Sequence, residues 1–524
     1  MFYKTNSFIT KYIKKSVFIL PVLIGCFLSA CHPQFPSDAE YCSEKAPIFP
    51  DYESGIAIPA NIAPLNFVLP DSIQKAFVQV SSSESTQIFR IKNSMRFSQK
   101  NWRKLLQKAT QGTSDSLVIR IAVQSKSGIR QYPPLVWQVR PEPIDPYLTY
   151  RLVQPIDGAY HNLRLYERCI ENFKVRVLIS NDLMDNNCFN CHTYHQGDAT
   201  KMTIHLRKPS EGTLFFNGNH ASKIAVPITL PQDIPDSLQM PLNLVYPAWH
   251  PQEKYIAFST NILGTGGYAE HRRFINLLDS ASNLILYDIE NNSLLLDKSL
   301  WTSDYEETWP AWSPDGKWLY FCRTEKPRKD TVAHYRNWSE RVRHIHFDLC
   351  RIAFDTEKGK FADTVQVLLK AHAGNSYSVP RVHPDGKKIL LCRALFNSVP
   401  YQAEGDLLLI DTADFFLNEP MSNAADIINS EEAESWHEWS HDGHWLIFSS
   451  KRIDGHYAFP HITYFDGENF SKPFLLPQRD GSYYQTVLRS FNLPTFTRNA
   501  SPVTPRKAAV LRQKPAHPMS VEYR

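Results

Sequence analysis

Short apolar runs that alternate with polar positions cover most of the chain, and the 3.6-residue spacing of an amphipathic helix is rare. Runs such as Ala76-Phe-Val-Gln-Val fit a period of two better than a helical period. Trp102 to Ala109 is the one short helical candidate in the first third of the chain. The pattern predicts a β-sandwich-like domain over residues 51–145, preceded by a polar, proline-containing tether over 31–50.

A repeat becomes visible in the second half of the chain. Each copy combines two apolar runs separated by a tight turn, and a second pair of apolar runs follows each copy. In two copies the turn reads Pro-Asp-Gly, where proline presets φ, aspartate caps the turn and glycine takes the left-handed position. The four copies begin at Tyr246, Trp309, Ser378 and Trp436.

Four strands in each unit, at spacings of about sixty residues, predict an all-β fold with a β-propeller over residues 146–480. The strand runs at 147–180 and 200–230 supply two further units, so six blades are favoured and seven are possible. Residues 481–524 are expected to form a C-terminal extension that is largely disordered. The strands expected beside the innermost strands of the four repeat units are 255–259, 318–322, 388–392 and 445–449.

These repeats resemble those of the TolB-like β-propeller family, whose consensus is Ser-Pro-Asp-Gly-Lys followed by an apolar strand. Ser313-Pro-Asp-Gly-Lys matches that consensus, and the clear resemblance covers Tyr246 to about Pro477. It implies a propeller of six blades.

The composition is that of a folded soluble protein, and the charge excludes one class of partner. Of 524 residues, 43% are hydrophobic and 21% are charged, and the formal net charge is +4. So small a charge on a chain of this length predicts no nucleic-acid partner. The 36 prolines favour many turns over long helices.

Residues 1–30 have the pattern of an export signal. Basic residues precede a short apolar run, Val17 to Phe27, which is too short to span a bilayer comfortably. The run ends in Leu28-Ser-Ala-Cys31, which resembles the lipobox of bacterial lipoproteins. The resemblance implies cleavage before Cys31 and acylation of its thiol and new amine; several acyl chains anchor a protein stably. An ordinary signal peptide with an incidental cysteine is the alternative. We expect a lipid-anchored protein of the cell envelope, in the periplasm or at the outer membrane or cell surface.

Cys188-Phe-Asn-Cys191-His192 has the attachment signature of c-type haem. Two thiols three positions apart can bond to the two vinyl groups of one porphyrin, and the adjacent imidazole can bind the iron. A loop disulfide, half of a zinc site and a thioredoxin-like redox pair are the alternatives, but neither a second Cys/His pair nor a βαβ setting accompanies the motif. We expect one covalent haem c, held by Cys188, Cys191 and His192 in a loop over 181–200 between the first two blades.

A low-spin haem needs a second axial ligand, usually histidine or methionine. His205 is the favoured candidate and Met202 the next. Both lie on the strand run after the motif, on opposite faces because three positions separate them. The alternative is that His205 is a strand histidine with no role as a ligand.

The sequence argues against two classes of hydrolase. His437-Glu-Trp-Ser-His441 matches the zinc-peptidase motif, whose chemistry needs a helix. Here a strand and turn are predicted, and positions i and i+4 of a strand lie about 13 Å apart, too far for one metal. No Gly-x-Ser-x-Gly elbow of a serine hydrolase occurs either. An electron carrier or binding protein is therefore favoured over a hydrolase.

Lipobox, haem motif and propeller repeats together look like a group of exported Bacteroidetes proteins described as TolB-like or cytochrome-like. The chain departs from the TolB family in that a haem motif interrupts the propeller. The main hypothesis is an exported lipoprotein with one covalent haem, acting in electron transfer or redox-linked binding with a redox or envelope protein as partner. The alternative is a non-enzymatic propeller scaffold that binds a protein or glycan, in which the cysteine pair is structural.

The substitution Cys31→Ala should release the mature domains into the soluble fraction, because the acyl chains are the only membrane-binding element that the sequence predicts. Fractionation and immunoblotting of cells that produce the variant would show this. Retention in the membrane after a high-salt wash would contradict the lipobox interpretation.

Overall fold

The computed structural model describes residues 33–524 apart from position 127 and ten short stretches. These stretches are 155–161, 208–210, 227–229, 233, 241, 267–275, 327–342, 398–404, 416–423 and 517–518. The predicted signal peptide over 1–30 and Cys31 lie outside the described residues.

The N-terminal domain contains one large mixed sheet. Its strands and those of a separate two-stranded sheet are β1 (Glu40–Tyr41), β2 (Ala57–Pro59), β3 (Phe67–Val68), β4 (Lys75–Ser82), β5 (Ser85–Ile91), β6 (Ser94–Met95), β7 (Ser116–Ser125), β8 (Gly128–Gln131) and β9 (Leu135–Arg140). The order β1-β8-β7-β4-β5 forms one path, β9 pairs with both β7 and β2, and β3 pairs with β6. Helix α1, Gln99–Gln111, lies between β6 and β7 in the chain.

A β domain at this position is confirmed, but its layers differ from the expected sandwich. Helix α1 buries Trp102 and the residues that follow it at helical spacing, and it contacts β4, β7 and β9. The indole of Trp102 donates to the Ile62 carbonyl at 2.9 Å, which fixes the helix to the domain core. The predicted tether over 31–50 is also shorter than expected. Its second half joins the domain, because β1 pairs with β8 and both Ala46 and Ile48 are buried.

Six sheets of three to five strands follow, and the predicted all-β propeller with six blades is confirmed. Blade 1 contains β10 (Tyr147–Val153), β11 (Arg164–Cys169) and β12 (Val175–Ser180); blade 2 contains β13 (Phe189–His195), β14 (Asp198–Leu206), β15 (Gly212–Asn217) and β16 (His220–Ile224); blade 3 contains β17 (Val245–Trp249), β18 (Tyr255–Gly266), β19 (Asn276–Asp288) and β20 (Ser293–Leu296). Blade 4 contains β21 (Tyr305–Trp312), β22 (Trp318–Glu325), β23 (Asp348–Asp355) and β24 (Lys360–Leu369); blade 5 contains β25 (Ser376–Val382), β26 (Lys388–Ala394) and β27 (Asp406–Asp411); blade 6 contains β28 (Glu434–Trp439), β29 (Trp445–Ser450), β30 (Phe459–Tyr464) and β31 (Phe474–Leu475). Short 3-10 helices lie at Asn181–Leu183, Asp236–Leu238, Thr412–Asp414 and Ala424–Ile428.

The four predicted second strands are confirmed in β18, β22, β26 and β29, each paired with the innermost strand of its blade.

The C-terminal extension completes the ring. After helix α2 (Tyr483–Thr486), strand β32 (Ser490–Thr497) pairs antiparallel with β10 and becomes the innermost strand of blade 1. Helix α3 (Pro505–Gln513) packs into the core between blades 1 and 2, and β33 (Ser520–Tyr523) adds a parallel edge strand to blade 3. The prediction of a largely disordered extension was wrong, because the partners of these segments are distant in sequence and local periodicity does not reveal them.

Hydrophobic clusters fill the interfaces between blades, and histidines add hydrogen bonds there. His195, His250 and His383 occupy the same position of blades 2, 3 and 5. Their Nε2 atoms lie 3.1, 3.1 and 3.2 Å from carbonyl oxygens in the turn of the next blade, those of Pro251, Gly316 and Gly443. A Cβ atom at Gly316 would lie 2.4 Å from His250 Nε2, so this close approach requires glycine.

The substitution Phe491→Ala should lower the free energy of unfolding by about 3–5 kcal/mol, because it leaves a cavity in a well-packed core. Phe491 lies on β32, is 1% exposed and contacts the ring of Tyr150 with centroids 4.7 Å apart. The control Leu488→Ala removes a side chain that is 68% exposed and should change stability by less than about 0.5 kcal/mol. Equal urea midpoints for the two variants would contradict the role given to β32.

Candidate functional site

The Cys-x-x-Cys-His motif lies at the start of the innermost strand of blade 2. Strand β13 begins at Phe189, directly after Cys188, and pairs with β14. The expected loop over 181–200 is therefore wrong from Phe189 onward. Backbone pairing places the second cysteine and the histidine inside the ring of strands that surrounds the propeller axis.

Each innermost strand contains one non-glycine residue in the left-handed region, with φ between 48° and 58°. In each blade the pairing register shifts around this residue, as in a β-bulge. Such backbone conformations cost about 1–3 kcal/mol each and persist where the surrounding structure imposes them. The six residues, in blade order, are Leu493, Cys191, Tyr246, Trp309, Val379 and Trp436. The conformation of Cys191 is thus a feature of the propeller repeat.

The residue after this left-handed position is proline in four blades and histidine in two. His192 occupies the position in blade 2 and His437 in blade 6. The alignment of Cys191-His-Thr-Tyr with Trp436-His-Glu-Trp was present in the sequence but was missed, because blade 2 lacks the Asp-Gly turn that three of the four later repeats contain.

The two histidines share a backbone position but differ in their partners. His437 Nε2 lies 2.9 Å from the Leu390 carbonyl oxygen, and its Nδ1 lies 3.8 Å from Cys392 Sγ. His192 is equally buried, yet neither of its ring nitrogens has a hydrogen-bond partner among the described residues. An unsatisfied buried polar group costs about 1–3 kcal/mol, and in native proteins it is explained by a bound water, a bound ion, or a redox or catalytic role. His192 is therefore free to donate an electron pair to a metal.

Burial also sets the charge state of the motif. It lowers the pKa of His192 to about 3, and the nearby Arg151 guanidinium acts in the same direction. It raises the pKa of Cys191 to about 11 and also raises that of Cys188. Both cysteines are free of disulfide bonds. The motif thus presents a neutral imidazole and two protonated thiols.

Cys191 and His192 line a small cavity of about 20 Å³ at the propeller axis. Tyr246 and Trp309 form part of its wall, with ring centroids 3.7 Å apart, and Arg381 contributes a cation. Cys188 does not line this cavity. Its side chain packs into the apolar core between blades 1 and 2.

The candidates for a second axial ligand lie away from the cavity. Met202 is fully buried in the same core as Cys188, and His205 Nδ1 lies 3.2 Å from the Thr213 hydroxyl oxygen. Neither residue lines the cavity beside His192. Cys191 and His192 share the cavity lining, and the role of His205 and Met202 as ligands stays a prediction.

The zinc-peptidase pattern lies on a strand and the following turn, as the sequence predicted. His437 lies on β28, and His441 lies in the turn after that strand, so no helix brings the two side chains onto one face. Both ring nitrogens of His437 are engaged by the neighbouring blade. In the described part of the chain, no group of three or more His, Cys, Asp or Glu side chains could hold a metal ion.

The residue types of the motif are those that hold a c-type haem, but their arrangement here does not fit one, because Cys188 packs into the core between blades 1 and 2 and not beside Cys191 and His192. The thiols are unoxidised and correctly spaced in sequence, and the adjacent imidazole is neutral with both nitrogens unpartnered. The cavity has a volume of about 20 Å³, which is space for about one water molecule and far below the roughly 300–1,000 Å³ of small-molecule pockets. The case for a haem therefore rests on the covalent and coordinate bonds that these three residues can form and not on the size of the cavity.

Within the described residues, no helix is long and apolar enough to cross a membrane. No model of a known protein family matches the chain, and no curated protein matches it.

Several solved structures match more than half of this chain at low sequence identity. A candidate dipeptidyl aminopeptidase IV from Bacteroides ovatus is 11% identical with a TM-score of 0.26, covering 63% of this chain and 59% of that one. Cobalt-substituted apocarotenoid oxygenase from Synechocystis is 10% identical with a TM-score of 0.33, covering 84% and 98%. Prolyl oligopeptidase B from Galerina marginata is 8% identical with a TM-score of 0.31, covering 75% and 50%. At these scores the similarity carries no information about function.

The substitution His437→Pro should make stability less dependent on pH. Burial lowers the pKa of His437 to about 3, below the value of about 6.5 for an unfolded chain, so the unfolded state binds one more proton between these values. This contribution to stability is present above pH 6.5 and is lost as the pH falls toward 3. Proline should fold at this position because four blades place it after a left-handed residue.

Removal of this proton site should reduce the slope of unfolding free energy against pH by about 1.4 kcal/mol per pH unit. Urea unfolding at several pH values from 7 to 4 would measure the slope. The control His220→Asn replaces an exposed side chain on β16 and should leave it unchanged. An unaltered slope in His437→Pro would contradict the buried neutral state.

Proposed function

We propose that this chain is a TolB-like propeller lipoprotein of the cell envelope that carries one covalent c-type haem and acts in electron transfer or redox-linked binding. The observation that carries the proposal is the pair of unpartnered ring nitrogens of buried His192, in a motif whose two cysteines are free of disulfide bonds. His437, at the same position of another blade, has its partners within the protein. That difference supports a ligand role for His192.

In this proposal the residues of the motif have separate roles. Cys188 and Cys191 would form the thioether bonds to the haem, and His192 would bind its iron. When bound, a c-type haem supplies a one-electron couple. Burial keeps the His192 imidazole unprotonated, so a ligating electron pair is present at any pH near neutrality. The pairing of β13 with β14 at Asn190 and Thr193 fixes the backbone on either side of the bulge that contains His192.

The lipid anchor at Cys31 would place the propeller at a membrane surface, where a redox or envelope protein is the expected partner. A sequence signal supports this localisation: the basic and apolar segments of residues 1–30 followed by the lipobox-like residues.

The scaffold is the second candidate function, and one observation favours it. Cys191 and His192 occupy positions that every blade fills, with proline or histidine after the left-handed residue. In that case the cysteine pair is structural and the propeller binds a protein or glycan.

Haem attachment separates the two functions. We expect the full-length chain, produced in a host with cytochrome c assembly machinery, to show a Soret band and haem staining that persists on a denaturing gel. Cys188→Ser and Cys191→Ser should each weaken covalent attachment, and the double variant should abolish it. The control Cys42→Ser changes a half-buried cysteine of the N-terminal domain and should retain the stain. Unstained, folded wild-type protein would overturn the haem proposal and leave the scaffold.

A further inference from the structure

A groove lies on the outer part of blade 2, between its outer hairpin and helix α3. Its volume is about 640 Å³, which falls within the roughly 300–1,000 Å³ of small-molecule pockets. One wall is the turn that joins β15 to β16, and the other is helix α3 with the loop that precedes it. The groove shares no lining residue with the cavity at the propeller axis, so it is a separate site.

The floor of the groove is apolar. Phe216 of β15, Val503 and Leu511 line it, and all three belong to the core between blades 1 and 2. Val510 of helix α3 also lines the groove, but it is 53% exposed. The apolar surface therefore continues from the core out to solvent, where a ligand could remove it from water.

The rim of the groove is cationic. Its three permanent cations are Arg506, Lys507 and Lys514. None of the described residues that line the groove is acidic. Lys507 Nζ donates to the Pro502 carbonyl at 3.1 Å, which holds its ammonium group beside the groove. Arg512 does not line the groove and pairs with Asp185, whereas no ion pair among the described residues involves the three cations of the rim.

The first turn of helix α3 adds to this positive charge. Thr504 is the N-cap, and its hydroxyl accepts a hydrogen bond from the Lys507 N–H at 3.3 Å. The N-terminus of a helix carries a partial positive charge, so acidic residues stabilise the first turn and basic ones do not. This turn has no acidic residue and contains Arg506 and Lys507. A negatively charged group in the groove would compensate both cations and the helix dipole.

We propose that the groove binds a single-chain amphiphile with a carboxylate head, such as a fatty-acid anion. The alkyl chain would cover Val510 and the apolar floor, and the carboxylate would contact the cations of the rim. A concave site of this size can enclose one small molecule, whereas a flat membrane surface cannot enter it. The site shares no residue with the Cys-x-x-Cys-His motif, so this inference does not depend on the proposed haem.

Isothermal titration calorimetry with dodecanoate, below its micellar concentration, tests the site. The full-length chain with Cys31→Ala is used throughout, because acyl chains and detergent would compete for the groove. We expect saturable binding of one dodecanoate that weakens as salt is added. Dodecyltrimethylammonium has the same chain with the opposite charge, and inorganic phosphate is an anion without a chain. Both should bind more weakly than dodecanoate.

The double substitution Arg506→Gln/Lys514→Gln should raise the Kd for dodecanoate at least about fivefold, because each exposed ion pair contributes up to about 1 kcal/mol. The control Arg90→Gln/Lys92→Gln removes the same charge from exposed positions of the N-terminal domain and should leave the Kd unchanged. Equal urea midpoints would show that both proteins fold as the parent does.

The apolar contact is tested by Val510→Ser, which should also raise the Kd about fivefold because part of a valine side chain is no longer buried by the ligand. The control Val367→Ser changes a valine on β24 that is 42% exposed and should have no effect.

Three results would overturn the proposal. They are the absence of saturable dodecanoate binding, equal affinity for the cationic amphiphile, and an unchanged Kd in both groove variants. Sedimentation with vesicles of anionic phospholipid separates a membrane from a free ligand. Vesicle binding that is lost in Arg506→Gln/Lys514→Gln, without dodecanoate binding by the parent protein, would assign the cations to a membrane surface and contradict the proposed ligand.

Discussion

The pairing of β32 with β10 is the interaction on which the rest of the propeller depends. It joins the last strand of the ring to the first and gives blade 1 its innermost strand. Without it, blade 1 would expose the backbone edge of β10 next to the axis, and both Phe491 and Arg151 would lose their packing partners. Closure by the chain terminus converts six separate sheets into a ring in which each blade packs against two neighbours.

Ring closure also brings the innermost strands around one axis. The left-handed residues of these strands lie close to that axis. Trp309 stacks on Tyr246 and meets Trp436 edge to face, with centroids 5.8 Å apart. The energetic cost of six left-handed residues is offset by this packing and by the strand pairing on either side of each bulge. Aromatic rings therefore fill much of the axis, and Arg381 lines the small cavity beside Cys191 and His192.

The motif and the repeat use the same residues. Cys191 occupies the left-handed position of its blade, and His192 occupies the next position, which is proline in four blades. The propeller repeat therefore sets the backbone conformation of these two residues, whatever their side chains. What distinguishes blade 2 is the loss of internal partners. The histidine of blade 6 is hydrogen-bonded to the neighbouring blade, whereas neither ring nitrogen of the histidine of blade 2 has a hydrogen-bond partner among the described residues. The chemistry of the site comes from this difference between two equivalent positions.

The sequence by itself determined the all-β class, the later four blades, and the strand assignment that excludes a zinc site at His437 and His441. These features depend on the alternation of apolar and polar residues and on turn residues such as Asp-Gly. Both act over a few neighbouring positions, so a single stretch of sequence shows them. It also identified Cys188, Cys191 and His192, because their spacing is a local property.

Only the tertiary structure decided the rest. The ordered C-terminus, the place of the motif on an innermost strand and the approach of Arg151 to it all depend on pairing between segments far apart in sequence. The separation of His205 and Met202 from the cavity has the same cause, since strand pairing and blade packing fix where each side chain ends. Such contacts follow from closure of the ring, and ring closure cannot be inferred from any local pattern of residues.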